Sequence, residues 1–241
     1  MDKTNLSFLL EGSLKISQEI LFSDVKLKIK FNKWTSIIGV SGSGKSTLLK
    51  IIAGMDLPDV FKSTIKSSNK NYSFSWMAQN DLLLPWASVI NNVTLGQKLR
   101  GEKLDKERAL SLLDQVGLIN EVNALPSTLS GGMRQRVALA RTLMEDKNII
   151  LMDEPFSALD SITRSAMQKL TWKLLKDKTV IMVTHDPLEA LLLSNDLYYI
   201  IKNKLRSIKL PNSKPFRTVN DENLLYSHKF ILNKLEKSYI R

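Results

Sequence analysis

Gly39-Val40-Ser41-Gly42-Ser43-Gly44-Lys45-Ser46-Thr47 is the stretch that decides how the chain folds. The apolar run WTSIIGV (34–40) enters it, and STLLKIIAGM (46–55), with apolar residues at helical spacing, leaves it. A G-x-x-x-x-G-K-[ST] pattern between a strand and a helix reads as a phosphate-binding loop. Gly39, Gly42 and Gly44 let the backbone wrap a phosphate closely, so that the N–H groups of Ser41, Ser43 and Thr47 point inward at the positive end of the following helix. Lys45 is expected to reach the β and γ phosphates of a nucleotide, and the Ser46 hydroxyl to coordinate Mg²⁺.

Outward from this loop, VKLKIKF (25–31), IILMDEP (149–155) and TVIMVTH (179–185) are short, apolar and rich in β-branched residues, so they predict strands. DKERALSLLDQVGL (105–118), SGGMRQRVALARTLM (130–144) and TRSAMQKLTWKLLKD (163–177) predict helices. Buried strands alternating with helices imply an α/β fold with a mainly parallel core sheet. VKLKIKF alternates apolar and polar residues, which points to N-terminal antiparallel strands with one face exposed. Residues 81–147 carry helical patterns without strand candidates and predict a helical subdomain inserted into a single domain spanning 1–241. The turn-forming LPNSKPFRT (210–218) precedes a final basic helix over about 222–239.

Composition excludes several classes. With 43% hydrophobic and 24% charged residues, the chain shows no disorder signature. No run approaches the roughly 18 apolar residues of a membrane span, and MDKTNLSFLLEGSLK lacks the layout of a secretory signal, so a cytoplasmic location is expected. The absence of cysteine removes disulfides and thiolate metal sites, and His185 and His228 alone do not make a structural zinc centre. The net charge of +11 comes from 26 lysines and 9 arginines scattered without interleaved aromatics, which argues against nucleic acid as a partner.

Asp153 and Glu154 end an apolar strand. Carboxylates at a buried strand tip cost solvation unless a cation or a proton transfer uses them, so Asp153 suits Mg²⁺ and Glu154 suits the base that polarises an attacking water. Leu129-Ser130-Gly131-Gly132-Met133-Arg134-Gln135-Arg136 leads into a helix with Ser130 as N-cap. Here the sequence resembles the ABC ATPase family, whose signature L-S-G-G-x-x-Q-R it matches residue for residue. Gln79 resembles the Q-loop, Ser157-Ala158-Leu159-Asp160 the D-loop, and His185 in VTHD the switch histidine.

The resemblance implies a P-loop NTPase core and a homodimer joined head to tail, in which ATP lies between the phosphate loop of one copy and Ser130, Gly131 and Gly132 of the other. It also implies Lys45, Glu154 and His185 as catalytic residues, Asp160 near the nucleotide, and Mg²⁺ held by Ser46, Asp153 and, through water, Gln79.

Within the family, the chromosome-maintenance members separate loop and signature by long coiled coils, whereas Ser46 and Ser130 stand 84 positions apart. The translation-factor members carry two ATPase domains per chain. A GTPase would show N-K-x-D, and neither Asn203-Lys204-Leu205-Arg206 nor Asn233-Lys234-Leu235-Glu236 does. The expectation is therefore an importer ATPase on the cytoplasmic face of the membrane, serving a separate permease and, indirectly, a solute-binding protein. A soluble ABC ATPase not tied to transport is the lesser alternative. Leu82-Leu83-Leu84-Pro85-Trp86 resembles the branch for nitrate, sulfonate, taurine and thiamine-precursor uptake, and Lys33-Trp34-Thr35 with Met77 to Leu83 looks most like subunits assigned to hydroxymethylpyrimidine.

Two departures matter. Asn32-Lys33 replaces a turn glycine, which asparagine tolerates by accepting φ > 0. Ile16 stands where the family places the aromatic ring that stacks on adenine. Weak discrimination between ATP and GTP is then expected, unless Phe8 or Phe22 supplies the ring.

Overall fold

A computed structural model describes residues 6–16, 19–55, 60–61, 66–67 and 73–239. In chain order the strands are β1 (Leu6–Ile16), β2 (Glu19–Lys30), β3 (Trp34–Ile38), β4 (Val60–Phe61), β5 (Lys66–Ser67), β6 (Phe74–Met77), β7 (Ile149–Asp153), β8 (Thr179–Thr184), β9 (Asp196–Ile201) and β10 (Lys204–Ile208). The α-helices are α1 (Lys45–Ile52), α2 (Val89–Val93), α3 (Leu95–Leu99), α4 (Lys106–Gln115), α5 (Gly131–Met144), α6 (Ser161–Leu175), α7 (Pro187–Leu193) and α8 (Glu222–Tyr239). They form two compact units, residues 1–73 with 175–241 and residues 74–174.

In the first unit β3 is flanked by β8 and β9, both parallel to it, and β9 turns back into β10 through an antiparallel hairpin. β1 and β2 pair antiparallel, as the alternation of VKLKIKF within β2 predicts, and Leu10, Leu14, Phe22, Val25, Leu27 and Ile29 put one face of that pair in the core. β3 and β8 are buried along their whole length. Each fully buried Val, Ile or Met there stabilises the unit by about 1.5–3 kcal/mol. The turn before β3 holds Asn32 at φ 54, and its N–H donates to the Thr179 hydroxyl at 2.9 Å, so asparagine fills the glycine position without loss of the turn.

In the second unit β6 and β7 pair parallel, and α2 to α5 lie between them in sequence. No strand occurs among the described residues from 78 to 148. α4 begins on Asp105, whose carboxylate accepts the Arg108 N–H, and its apolar stripe of Ala109, Leu112 and Leu113 is buried.

Candidate functional site

β3 delivers Gly39 into the phosphate loop, and the loop closes on Gly44, which precedes α1 at φ 88. That conformation is strained for any residue with a Cβ. A Cβ there would also stand 2.9 Å from Leu21 and Phe22, and one on Gly39 would stand 2.6 Å from Ser43 Oγ. The loop is thus a cradle that side chains would fill. Lys45 is buried, and its Nζ donates to the carbonyls of Gly39 at 2.9 Å and Val40 at 3.1 Å, which holds the ammonium across the mouth of the loop. The first turn of α1 carries no acidic residue, so its positive end is uncompensated by its own side chains. Ser43 Oγ is buried without a hydrogen-bond partner among the described residues. The exposed Ser41 and the half-buried Ser46 and Thr47 complete the loop. A cationic, amide-rich concavity of this kind fits a polyphosphate.

The parallel register of β3 and β8 pairs Ile38 with Thr184, so Gly39 and His185 leave the same edge as immediate neighbours of that pair. The residues on either side of His185 are fixed by hydrogen bonds. The Thr184 hydroxyl donates to the buried Glu189 carboxylate and accepts the Asp186 N–H at 3.1 Å, while Asp186 caps α7 through the N–H of Leu188. Glu189 was not visible as a functional residue, although an acid on the inward face of an apolar helix, PLEALLL, is the signal that marks it.

In the second unit the same logic operates on another strand pair. Met77 pairs with Met152, so Gln79 and Glu154 emerge together, and Gln79 Nε2 donates to Glu154 Oε2 at 3.3 Å. Asp153 is buried at the end of β7. Glu154 turns into the left-handed region at φ 46, a cost of about 1–3 kcal/mol that the Ser157 N–H and hydroxyl offset by donating to the Glu154 carbonyl. Asp160 caps α6 by accepting the N–H groups of Ile162 and Thr163, and the Thr163 hydroxyl and these N–H groups hold its carboxyl below the usual range.

Ser130 caps α5, its hydroxyl accepting the Met133 N–H at 3.2 Å. Gly131 and Gly132 form the first turn, which again has no acid in it. Gln135, buried, donates to the Pro155 carbonyl, tying the signature helix to the residue after Glu154.

After Gln79 the chain makes an apolar turn with Leu82 at φ 47. Leu83 is buried, Leu82 is 62% exposed and Trp86 is 76% exposed. Fully buried Asn92 of α2 latches the turn. It accepts the Leu84 N–H at 2.7 Å and donates to the carbonyls of Leu84, Ala87 and Ser88. Its spacing with Val89 and Val93 on one helix face is the sequence signal for this role. Asn92→Ala is expected to cost about 2–4 kcal/mol, because the Leu84 N–H and the Ala87 carbonyl lose the side chain that pairs them, while the Leu84 and Ser88 carbonyls keep only the backbone N–H groups of Ala87 and residue 92. A lowered urea midpoint at unchanged slope checks it, and an unchanged midpoint would show that water replaces the latch.

Of the rings offered to adenine, Phe22 is fully buried and packs under Gly44, so it is not free to stack without displacing the loop. The side chains of Ile16 and Phe8 lie outside the described residues. Among the described residues no helix is long and apolar enough to cross a membrane.

The ABC transporter family profile matches residues 22–157. An uncharacterized ABC transporter ATP-binding protein of Haemophilus influenzae is 40% identical over 230 residues, 92% of this chain and 95% of its own. The aliphatic sulfonates import ATP-binding protein of Rhodococcus jostii is 45% identical over 197 residues, 80% of this chain and 78% of its own. Among solved structures, a dimeric ATP-binding cassette in a post-hydrolysis state bound to ADP and Pi has a TM-score of 0.71 and 32% identity, covering 86% of this chain and 100% of that one. Likeness at that level, carried over most of the length, settles the family: the chain belongs to the ABC transporter family, as an ATP-binding subunit whose ATP hydrolysis is coupled to transport.

Proposed function

We propose that this chain is the ATPase subunit of an importer for organic sulfonates, acting as a homodimer beneath a separate membrane permease. The observation that carries the ATPase part is the convergence of motif residues at strand ends: Gly39 with His185 on one pair, Gln79 with Glu154 on the other. Two copies associate head to tail, each signature helix meeting the nucleotide of the other; the dimeric ADP-bound cassette supports a dimer as the working unit. Lys45 and the loop amides hold the phosphates, Glu154 polarises the attacking water, and His185 orients the γ-phosphate. Loss of the bridging phosphate opens the dimer, and the permease responds to that motion.

Mg²⁺ fits these residues. A hydroxyl, a carboxylate and an amide offer the oxygen donors that suit a hard cation, which completes its shell with phosphate oxygens and water. Ser46 and Asp153 would bind it directly and Gln79 through water. When bound, it neutralises charge on the β and γ phosphates.

The cargo is read from relatives. The residues around Trp34 and Gln79 raise hydroxymethylpyrimidine as the expectation, whereas the Rhodococcus jostii protein and a Zymomonas mobilis protein 38% identical over 227 residues are both named for aliphatic sulfonate import, which favours the sulfonate alternative. A strain lacking this chain should fail to grow on an alkanesulfonate as sole sulfur source and grow normally on sulfate. A growth defect cured by hydroxymethylpyrimidine instead would overturn the sulfonate reading.

The permease surface is the apolar turn. Leu82 lines a groove of about 310 Å³ with Leu95, Leu99 and Arg141, and Trp86 projects from the same turn. Exposed aromatic and aliphatic side chains beside an apolar groove suit a short helix of the membrane partner. Trp86→Ala should weaken co-purification with the permease at least tenfold, about 1.4 kcal/mol or more, and leave Tm unchanged because so exposed an indole adds little to the fold. A falling Tm would instead place Trp86 in the helical core.

A further inference from the structure

One guanidinium stands between the permease-facing turn and the signature. Arg134, on the first turn of α5, donates from Nε to Asp81 Oδ2 at 3.0 Å and from Nη1 to the Leu129 carbonyl at 2.7 Å. Leu129 immediately precedes Ser130, whose hydroxyl caps the helix. On the other side, Asp81 is bound into the turn it opens, its Oδ1 accepting the Leu83 N–H at 3.1 Å. Two helical turns further along α5, Arg141 donates to the carbonyls of Asp81 and Leu82. Asp81 is thereby gripped at its carboxylate by the start of the signature helix and at its carbonyl by the helix body.

Fully exposed ion pairs contribute little, but Arg134 and Asp81 are both partly buried, and each makes a further hydrogen bond that fixes its orientation. Neither residue stands out in the sequence, and Arg134 occupies a position where the signature pattern accepts any residue. Hydrogen bonds thus run without a break from the Leu83 N–H through Asp81 and Arg134 to the peptide that enters the signature.

We infer that Arg134 is a positioning residue, which through Asp81 sets the orientation in which Ser130, Gly131 and Gly132 meet the nucleotide of a second copy of the chain. The inference rests on the head-to-tail dimer of the proposed function. It assigns no contact with nucleotide to Arg134 itself.

The test is ATP-dependent dimerisation, measured by sedimentation velocity in a Glu154→Gln background, alongside binding of a fluorescent ATP analogue and thermal unfolding. The parent must dimerise with ATP; if it does not, the head-to-tail reading itself fails. Given a dimerising parent, Arg134→Ala and Asp81→Asn should each weaken dimerisation about tenfold, with analogue affinity and Tm unchanged. Asparagine keeps the acceptor for the Leu83 N–H, so the second variant removes the ion pair while retaining the turn. The double variant should be no worse than either single one, since both break the same link. Dimerisation at parental strength in either single variant, additive losses in the double, or a parallel fall in analogue affinity would overturn the inference.

Discussion

Glu154→Gln is expected to bind ATP with wild-type affinity and to hydrolyse it about 10² to 10⁴ times more slowly, the usual contribution of a positioned general base. The substitution changes little except charge. The amide oxygen still accepts from Gln79 Nε2, and the left-handed backbone at residue 154 is held by Ser157 through the carbonyl, which the substitution leaves untouched. The group that disappears is the carboxylate that draws a proton from the attacking water. Because the γ-phosphate then persists between two copies, the variant should also accumulate as an ATP-bound dimer. Phosphate release and sedimentation velocity measure the two effects. Retention of more than about a tenth of the wild-type rate would remove Glu154 from the role of base.

The second large effect is on binding. Lys45→Ala should weaken ATP affinity about 10- to 150-fold, because a hydrogen bond from a charged donor is worth about 1.5–3 kcal/mol and the ammonium, which donates to the Gly39 and Val40 carbonyls, has one such bond to offer the phosphates. Calorimetric titration with ATP and with AMP separates causes. AMP lacks the β and γ phosphates, so its affinity should fall by less than threefold or so, within the scatter of one weak contact. Equal losses for both nucleotides would mean that the substitution distorts the loop, whose Gly39 and Val40 carbonyls lose their shared donor.

Elements whose stabilising pattern is continuous in sequence were legible. α8 falls on the residues that its amphipathic repeat predicts, α5 begins where Ser130 caps it, and the positive φ at Asn32 agrees with the side chain's tolerance of that region. β1 was not legible. Its ladder with β2 shifts register three times between Leu6 and Lys15, and Gly12 lies at φ 146, so the alternation that would reveal a strand is broken within its own length. β6 escaped for another reason: four residues carry too little pattern to tell a strand from a loop.

The chemistry available can be read along the chain alone: a loop that binds phosphate, a carboxylate pair at a strand tip, a capped helix start with two glycines, and the family that joins them. Those features depend on residues a few positions apart, whose geometry local sterics and hydrogen bonding dictate. Which of them meet is settled by strand pairing. Parallel register brings Gln79 to Glu154 and Gly39 beside His185, residues 75 and 146 positions apart, since pairing the ends of two parallel strands sets the next residues of both chains side by side. Packing likewise decided that Leu83 turns inward while Trp86 faces solvent, and that Arg134 reaches back 53 positions to Asp81; long-range contacts choose among side-chain directions that the local chain leaves equally open.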